Sequence, residues 1–483
     1  MEKKVLDGLE PKIVWNIFED ITRIPRPSKK EGKIRHWVKE WAKEHGVPVK
    51  EDDVGNILLI GKAAPGCGGY PTLALQAHMD MVCQKTPETK IDFESDPLKI
   101  KIVDDRVTAE GTSLGADNGI GMAYGMAAMI SKGLKHGPLE VVLTVDEETG
   151  LTGAFGMEPG FFSGKYLLNV DSEALGEITI SSAGGGGTQY TLPVTREKRE
   201  DRKAIRLAIS GLASGHSGVD IHLPRLNAIK VALAGLLELK SMDLLISRFD
   251  GGSVGNAIPK EAECDFLVPT DKKDEAIKIL EKWRTLTEEQ RNEPNMKIVV
   301  SEIDEIEAYT REQSEGICDL LSKVPHGPIS WSKQIEGLVQ TSNNLAIVKS
   351  GEDKFEVTLS SRSSVNKELE EFRNKLKLIG EEHGAEVEQG AGYPGWQADP
   401  RSPFIALAKS SYESILKREV ALKAIHAGLE CGLFSKLDPE LQICSIGPDI
   451  KNPHTPDEVV NIKSVRIVWN TICRIMENMS TLG

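Results

Sequence analysis

Four short apolar runs in this chain stop at ionisable residues, and that coincidence limits the architecture more than any other feature. The run L-A-L-Q-A ends in His78-Met79-Asp80 and L-E-V-V-L-T-V ends in Asp146-Glu147-Glu148. Y-L-L-N-V ends in Asp171, and L-Q-I-C-S-I leads through G-P-D-I-K-N-P to His454. Continuous apolar runs this short suit strands buried on both faces, the condition of a mainly parallel sheet covered by helices. Residues 56–60, 72–77, 139–145, 166–170 and 441–446 therefore read as strands. The Ala-, Met- and Gly-rich stretch 119–132 reads as a buried helix. Ser28 with Glu31 three residues later reads as a capping box opening the amphipathic stretch 29–45. The alternation is that of an α/β protein.

A chain of 483 residues holds two or three domains. Two glycine-rich stretches, 181–187 and 389–396, read as turns or joints. The strand-like run 441–446 matches the N-terminal third in character, so the simplest organisation is one α/β domain broken by an insertion. Residues 1–187 and 391–483 form the broken domain, and residues 188–390 are the insertion. Within the insertion N-A-I-P-K-E-A-E-C-D-F-L-V, from Asn256, weakly resembles N-L-A-I-V-K-S-G-E-D-K-F-E-V, from Asn344. Each leads into a charged helical stretch. These are either a duplicated unit or two unrelated hairpin-plus-helix units.

With 59 basic and 73 acidic residues the net charge is −14, which disfavours nucleic acid and anionic membrane as partners. Seven scattered cysteines without a C-x-x-C are the usage of a reducing compartment. No apolar stretch is long enough for a membrane span or a signal peptide. The expectation is a soluble cytoplasmic protein.

Ligand sites of open α/β sheets lie beyond the carboxyl ends of the strands, where these ionisable residues fall. Asp117, in G-T-S-L-G-A-D-N-G-I-G, opens the buried helix and joins them. Carboxylates crowded together repel one another, so the group needs cations or protons. Histidine, aspartate and glutamate without thiolates suit zinc, with cobalt or manganese as alternatives. The inventory is too large for one ion. His78, Asp117 and Asp171 make one set, and Asp117, Glu148 and His454 make another that shares Asp117, the arrangement of two-metal hydrolases. Asp80 is placed to accept the other imidazole N–H of His78. Of the adjacent Glu147 and Glu148, one binds metal while the other stays free as general base. Glu147 is taken as the base and Glu148 as the ligand, though the sequence alone allows the exchange. Each residue has a plainer reading: His78 a structural histidine, Asp146–Glu148 a solvated turn, Asp117 a helix cap, His454 a loop residue. Their joint placement favours the metal site.

A-H-M-D-M-V, G-A-D-N-G-I-G, V-D-E-E-T-G, N-V-D-S-E and N-P-H-T-P resemble the metal-site motifs of the dinuclear zinc peptidases that include carnosinases and bacterial carboxypeptidase G. The resemblance runs from about residue 5 to residue 475. It implies a catalytic α/β domain interrupted by an α+β lid domain, either single or duplicated, and two divalent ions per chain held by His78, Asp117, Glu148, Asp171 and His454. Asp80 would orient from behind, Glu147 would be the base, and the Asp117–Asn118 peptide would be cis. In S-G-H-S-G-V-D-I-H the resemblance gives His216 the stabilisation of the oxyanion. Asn256 would lie near the substrate, and Arg362 in S-S-R-S-S would hold its carboxylate, for which a guanidinium fork is suited. In H-A-G-L-E-C-G, Glu430 would take the amino group of a dipeptide and Gly428 would allow close backbone approach, while His426 is read as structural. The implied activity is hydrolysis of small dipeptides, Xaa-His pairs such as β-alanyl-histidine preferred. Other amide hydrolases of the superfamily (tripeptidase, carboxypeptidase, deacylase) and a non-catalytic binding protein are the alternatives. The long insertion makes a homodimer compatible with catalysis but not required for it.

Overall fold

The computed structural model describes residues 4–290, 293–304, 307–333 and 337–482. The chain forms two compact units. The first comprises residues 1–181, 396–424 and 429–483, and the second residues 182–395 with 425–428. The sequence reading placed the insertion at 188–390, six residues later at its start and five earlier at its end. The glycine run causes the difference. It is not a joint: strand Gly184–Pro193 begins inside it and pairs with Lys354–Ser363 along its whole length. A Cβ on Gly185 would stand 2.6 Å from the Tyr393 hydroxyl, so glycine is what lets that ring lie against the strand.

In the first unit the sheet runs in the order Val49–Glu51, Ile57–Gly61, Leu139–Thr144, Leu73–His78, Tyr166–Asn169, Gln442–Ser445, Glu177–Ser182, Trp396–Gln397. The middle four strands are parallel, and His78 stands opposite Thr144 and Gln76 opposite Asn169. Strand Ile57–Gly61 is buried over its first three residues and pairs antiparallel with Leu139–Thr144. Leu73–His78 and Leu139–Thr144 are buried at every position, which explains why their sequences do not alternate. Helix Ala116–Ile130 is buried along its length among Val141, Leu143 and the N-terminal helix residues Val14 and Phe18. Because the central parallel strands share register, everything that follows their last residues emerges at one end of the sheet.

The expected capping box is absent. Helix Gly32–Glu44 starts after Glu31, which makes no side-chain cap. Ser28 instead donates to Asp80 Oδ2 at 2.7 Å, and Glu31 accepts from the backbone of Lys29 at 2.8 Å and Asp146 at 3.0 Å. Partners distant in sequence outbid the local motif.

The second unit has a sheet of all-antiparallel pairs in the order Lys297–Ile303, Arg202–Ser210, Ala262–Pro269, Leu245–Gly251, Val339–Ser350, Lys354–Ser363, Gly184–Pro193, Glu386–Gln389. From either edge inward the chain order repeats. Ala262–Pro269 leads into helix Lys273–Gln290 and edge strand Lys297–Ile303. Lys354–Ser363 leads into helix Asn366–Glu382 and edge strand Glu386–Gln389. The two halves meet where Leu245–Gly251 pairs with Val339–Ser350. The weak sequence repeat falls on matching strand–helix pairs, which is the topology of a duplicated unit. Its helices cover an apolar core containing Ile205, Phe249, Phe266, Leu280, Val357 and Leu376.

Candidate metal centre

Beyond the parallel strands of the first unit, two histidines face one carboxylate. His78 Nε2 lies 3.0 Å from Asp117 Oδ1 and 3.4 Å from Asp171 Oδ1. His454 Nε2 lies 3.0 Å from Asp117 Oδ2 and 3.0 Å from Glu148 Oε2. Asp117 therefore presents a different oxygen to each imidazole, and the two donor sets share this residue alone. Adjacent donors around a tetrahedral ion with bonds of about 2.0–2.1 Å stand roughly 3.3–3.4 Å apart. The spacings match that geometry within a few tenths of an ångström, and the donors are the oxygen and imidazole types that zinc takes. Glu148 Oε1 is buried with no hydrogen-bond partner.

Local folding puts each group in place. His78 ends its strand, and Asp80 follows behind it with Oδ1 at 3.2 Å from His78 Nδ1, out of line for a hydrogen bond. The two oxygens of Asp80 accept the backbone N–H groups of Glu147 at 3.0 Å and Glu148 at 3.2 Å, pinning the acidic turn. Asp146 enters that turn at φ 49 and His454 sits at φ 60, both left-handed. The Asp117–Asn118 bond is cis, and Asn118 Nδ2 donates to Asp171 Oδ1 and to Val170 O.

The electrostatics are those of a site with too many carboxylates. Burial raises Glu147 well above the usual carboxylate range, with Asp171, Glu148 and Glu430 adding repulsion. Burial, then the charge of Asp117, pushes Glu148 up to about 7. Asp171 is raised by burial as well. Asp117 goes the other way: burial opposes its charge, but hydrogen bonds from His454 and His78 hold it low. Burial works against the charged form of His454 too, yet Asp117 and Glu148 lift it to about 11. Such a group is relieved by divalent cations, which neutralise the carboxylates and take the imidazoles as neutral ligands. A second acidic cluster, Glu31, Asp80 and Asp146, shows the contrast. Its oxygens accept from backbone N–H groups and from the hydroxyls of Ser28, Thr149 and Thr152, which leaves no comparable demand for an ion.

Glu430 is not where the resemblance put it. Its side chain has no exposed surface, and Oε2 accepts from Gln76 Nε2 at 2.6 Å and Thr144 Oγ1 at 2.7 Å. Asn169 Nδ2 in turn donates to Gln76 Oε1 at 2.6 Å, and Ser445 donates to Asn169. A carboxylate sealed beneath the strand ends does not receive an ammonium group from solvent. Gln76, Thr144, Asn169 and Ser445 form a polar row under the site. Their only signal in the sequence is one polar residue near the end of each apolar run.

The second unit brings its own candidates together. His216 Nδ1 accepts the backbone N–H groups of Gly218 at 3.3 Å and Val219 at 3.1 Å, so the ring proton resides on Nε2. Arg362, 8% exposed, donates from Nη1 to the Tyr393 hydroxyl at 2.8 Å, while its buried Nε has no partner. Gly218 makes this possible: a Cβ there would overlap the His426 carbonyl and stand 3.1 Å from His216 Cε1 and 3.2 Å from Arg362 Nε. A Cβ on Gly428 would stand 2.7 Å from the Tyr393 ring. His426 is buried, bonded to Ser342 Oγ at 2.7 Å, and pushed down to about 4 by burial and then by the charge of Arg362. Asn256 lies on the loop whose carbonyl accepts from Ser217 N at 2.8 Å, and its residue is exposed. Tyr393 escaped the sequence reading, because the glycines around it suggested a joint.

Residues 74–478 match the sequence pattern of Peptidase family M20/M25/M40. The cytosol non-specific dipeptidase of Escherichia coli (strain K12) is 37% identical over 481 residues, covering 98% of this chain and 99% of that one. The crystal structure of aminoacylhistidine dipeptidase from Vibrio alginolyticus superimposes with a TM-score of 0.83 at 37% identity, over 99% of this chain and 98% of that one. Aminopeptidase PepT from Bacillus cereus ATCC 10987 is 18% identical with a TM-score of 0.56 over 98% of this chain and 99% of that one, a likeness of fold. Among the described residues no helix is long and apolar enough to cross a membrane.

Proposed function

This chain belongs to peptidase family M20/M25/M40, and on that premise we propose that it is a metal-dependent dipeptidase acting on Xaa-His pairs such as β-alanyl-histidine. The observation that carries the reading is the one carboxylate of Asp117 with an imidazole at each oxygen. His78, Asp117 and Asp171 would hold one divalent ion and Asp117, Glu148 and His454 a second, zinc in the first instance, with cobalt or manganese acceptable to the same donors. When bound, the ions would supply Lewis acidity toward the scissile carbonyl and the attacking water.

The protein's own groups do the rest. Glu147, half-buried and without a side-chain hydrogen bond among the described residues, takes the proton of the water and later returns it to the leaving amine. A carboxyl with raised proton affinity is suited to both halves of that transfer. Asp80 holds the backbone of the base and of the neighbouring ligand, so both keep their places as charge moves. His216 presents its Nε2 proton to the developing oxyanion. Arg362, bonded to the Tyr393 hydroxyl, takes the C-terminal carboxylate of the substrate, Gly428 packs against the same tyrosine, and Asn256 is a further substrate contact of the proposal. Recognition of the C-terminal carboxylate would select the C-terminal peptide bond, and the preference for dipeptides over longer chains is supported by the dipeptidases to which the chain is similar. The cytosol is the natural place for such a reaction, as the name of the Escherichia coli relative has it for that protein.

The test is a dipeptide panel assayed after chelation and refilling with zinc, cobalt or manganese. It should compare β-alanyl-histidine with its N-acetylated form and with dipeptides lacking histidine. The reading expects cleavage of free dipeptides, fastest with C-terminal histidine. Preferred cleavage of the N-acetylated substrate would point to a deacylase, and activity indifferent to chelation would reject the metal site.

A further inference from the structure

Two buried ions that belong to neither donor set converge on the loop that carries Asp117. Glu458, 1% exposed, accepts the backbone N–H groups of Leu114 at 2.8 Å, Gly115 at 2.9 Å, Ala116 at 2.8 Å and Asp117 at 3.4 Å. Arg26, 2% exposed, donates from Nη1 to the carbonyls of Met79 at 3.0 Å and Asp80 at 2.7 Å, and from Nη2 to the carbonyl of Gly115. One guanidinium thus ties the strand end that bears His78 to the loop that bears Asp117. One carboxylate ties that loop to a segment four residues beyond His454. The fit is tight: a Cβ on Gly119 would stand 2.8 Å from Arg26 Nη2.

We propose that Arg26 and Glu458 are positioning residues that fix Asp117 between His78 and His454, and so set the spacing of the two donor sets. Asp117 must offer one oxygen at 3.0 Å to each histidine, and a drift of its loop toward one lengthens the other contact. The first N–H groups of helix Ala116–Ile130 need an acceptor in any case, and a hydroxyl cap or water would serve them. Burying a negative charge there, and a positive charge beside it, is costly unless each is paired. What the charged version adds is geometry. A carboxylate collecting four N–H groups and a planar fork collecting three carbonyls resist displacement in several directions at once. The inference rests on the two-ion reading of the site, and it assigns these residues no contact with substrate.

The test uses the full chain with zinc as the only added ligand. Zinc content is measured against free zinc in a buffered series for wild type, Glu458→Gln, Arg26→Lys and a control, Tyr124→Phe. The control removes a buried hydroxyl that bonds Val465 O at 3.0 Å, away from the Asp117 loop. Metal-free melting and near-ultraviolet circular dichroism report folding. The expectation is that Glu458→Gln and Arg26→Lys fold but need roughly 10–100-fold more free zinc to fill the pair, as mutations behind metal ligands usually do. Excess zinc should then restore kcat with KM unchanged, and Tyr124→Phe should titrate like wild type. Wild-type zinc titrations in both variants would overturn the proposal. So would a loss of zinc that only tracks the unfolded fraction, or failure of both variants to fold, since either makes the pair a requirement of folding alone. A wild-type chain that binds fewer than two zinc ions would reject the underlying reading instead.

Discussion

Asp80→Asn tests the link between the acidic turn and its anchor, while also changing the group 3.2 Å from His78 Nδ1. Asp80 is completely buried. Oδ1 accepts from Glu147 N at 3.0 Å, and Oδ2 accepts from Glu148 N at 3.2 Å and Ser28 Oγ at 2.7 Å. Asparagine keeps one acceptor oxygen and turns the other into an amide that faces a backbone N–H and a hydroxyl. Two hydrogen bonds to a charged acceptor are lost, each contributing about 1.5–3 kcal/mol. The Ser28 hydroxyl can rotate to accept, which recovers about one of them, whereas the Glu148 N–H cannot turn. The net cost is about 2–3 kcal/mol, which for a unit of this size lowers the melting temperature by roughly 4–12 °C. Because the strain falls on Glu147 and Glu148, kcat/KM should fall on the order of 10–100-fold. Calorimetry, metal analysis and steady-state kinetics on β-alanyl-histidine read all three quantities. A variant that melts with wild type and turns over normally would refute the anchoring argument.

Three further outcomes follow from the same geometry. Glu147→Gln should keep its metal while kcat drops by about 10²–10⁴-fold, and appreciable turnover in the metal-loaded variant would remove Glu147 from the role of base. Arg362→Lys keeps the charge but loses the fork, so KM for free dipeptides should rise while C-terminally amidated dipeptides, poor substrates of wild type, should be insensitive; equal effects on both would dismiss the carboxylate assignment. His426, held neutral in the fold with a value of about 4 against an ordinary 6.5, takes up its proton only on unfolding. Stability should therefore fall as pH drops from about 6.5 toward 4, by up to about 3 kcal/mol from this group, and be unaffected by it above that window. Wild type minus His426→Gln in urea melts at several pH values isolates the contribution, and a difference that does not vary with pH would rule it out.

The residues of the candidate metal site were readable because their signal is local. A strand buried on both faces is a continuous apolar run, and in a parallel sheet candidate ligands fall at or just past its end, so His78, Glu148 and Asp171 stand out as candidates. Ser28 and Glu31 carried an equally clear local signal and it misled, because Asp80 and the Asp146 backbone compete for the same side chains from afar. The run 181–187 misled for a related reason. Glycine suggests freedom when read alone, but here it makes room for a ring that the chain supplies some two hundred residues later.

The sequence by itself determined the alternation of buried strands and helices, the candidate ligands and the interruption of one unit by another. Each of these depends on residue type and short-range spacing. Only the tertiary structure decided that Glu430 lies sealed beneath the strands, that Tyr393 stands behind Arg362, and that Arg26 and Glu458 clamp the Asp117 loop. The physical reason is that a buried polar side chain takes its position from the partners it bonds. For Glu430, Arg362 and the Asp117 loop those partners come from segments up to several hundred residues apart, which no local pattern records.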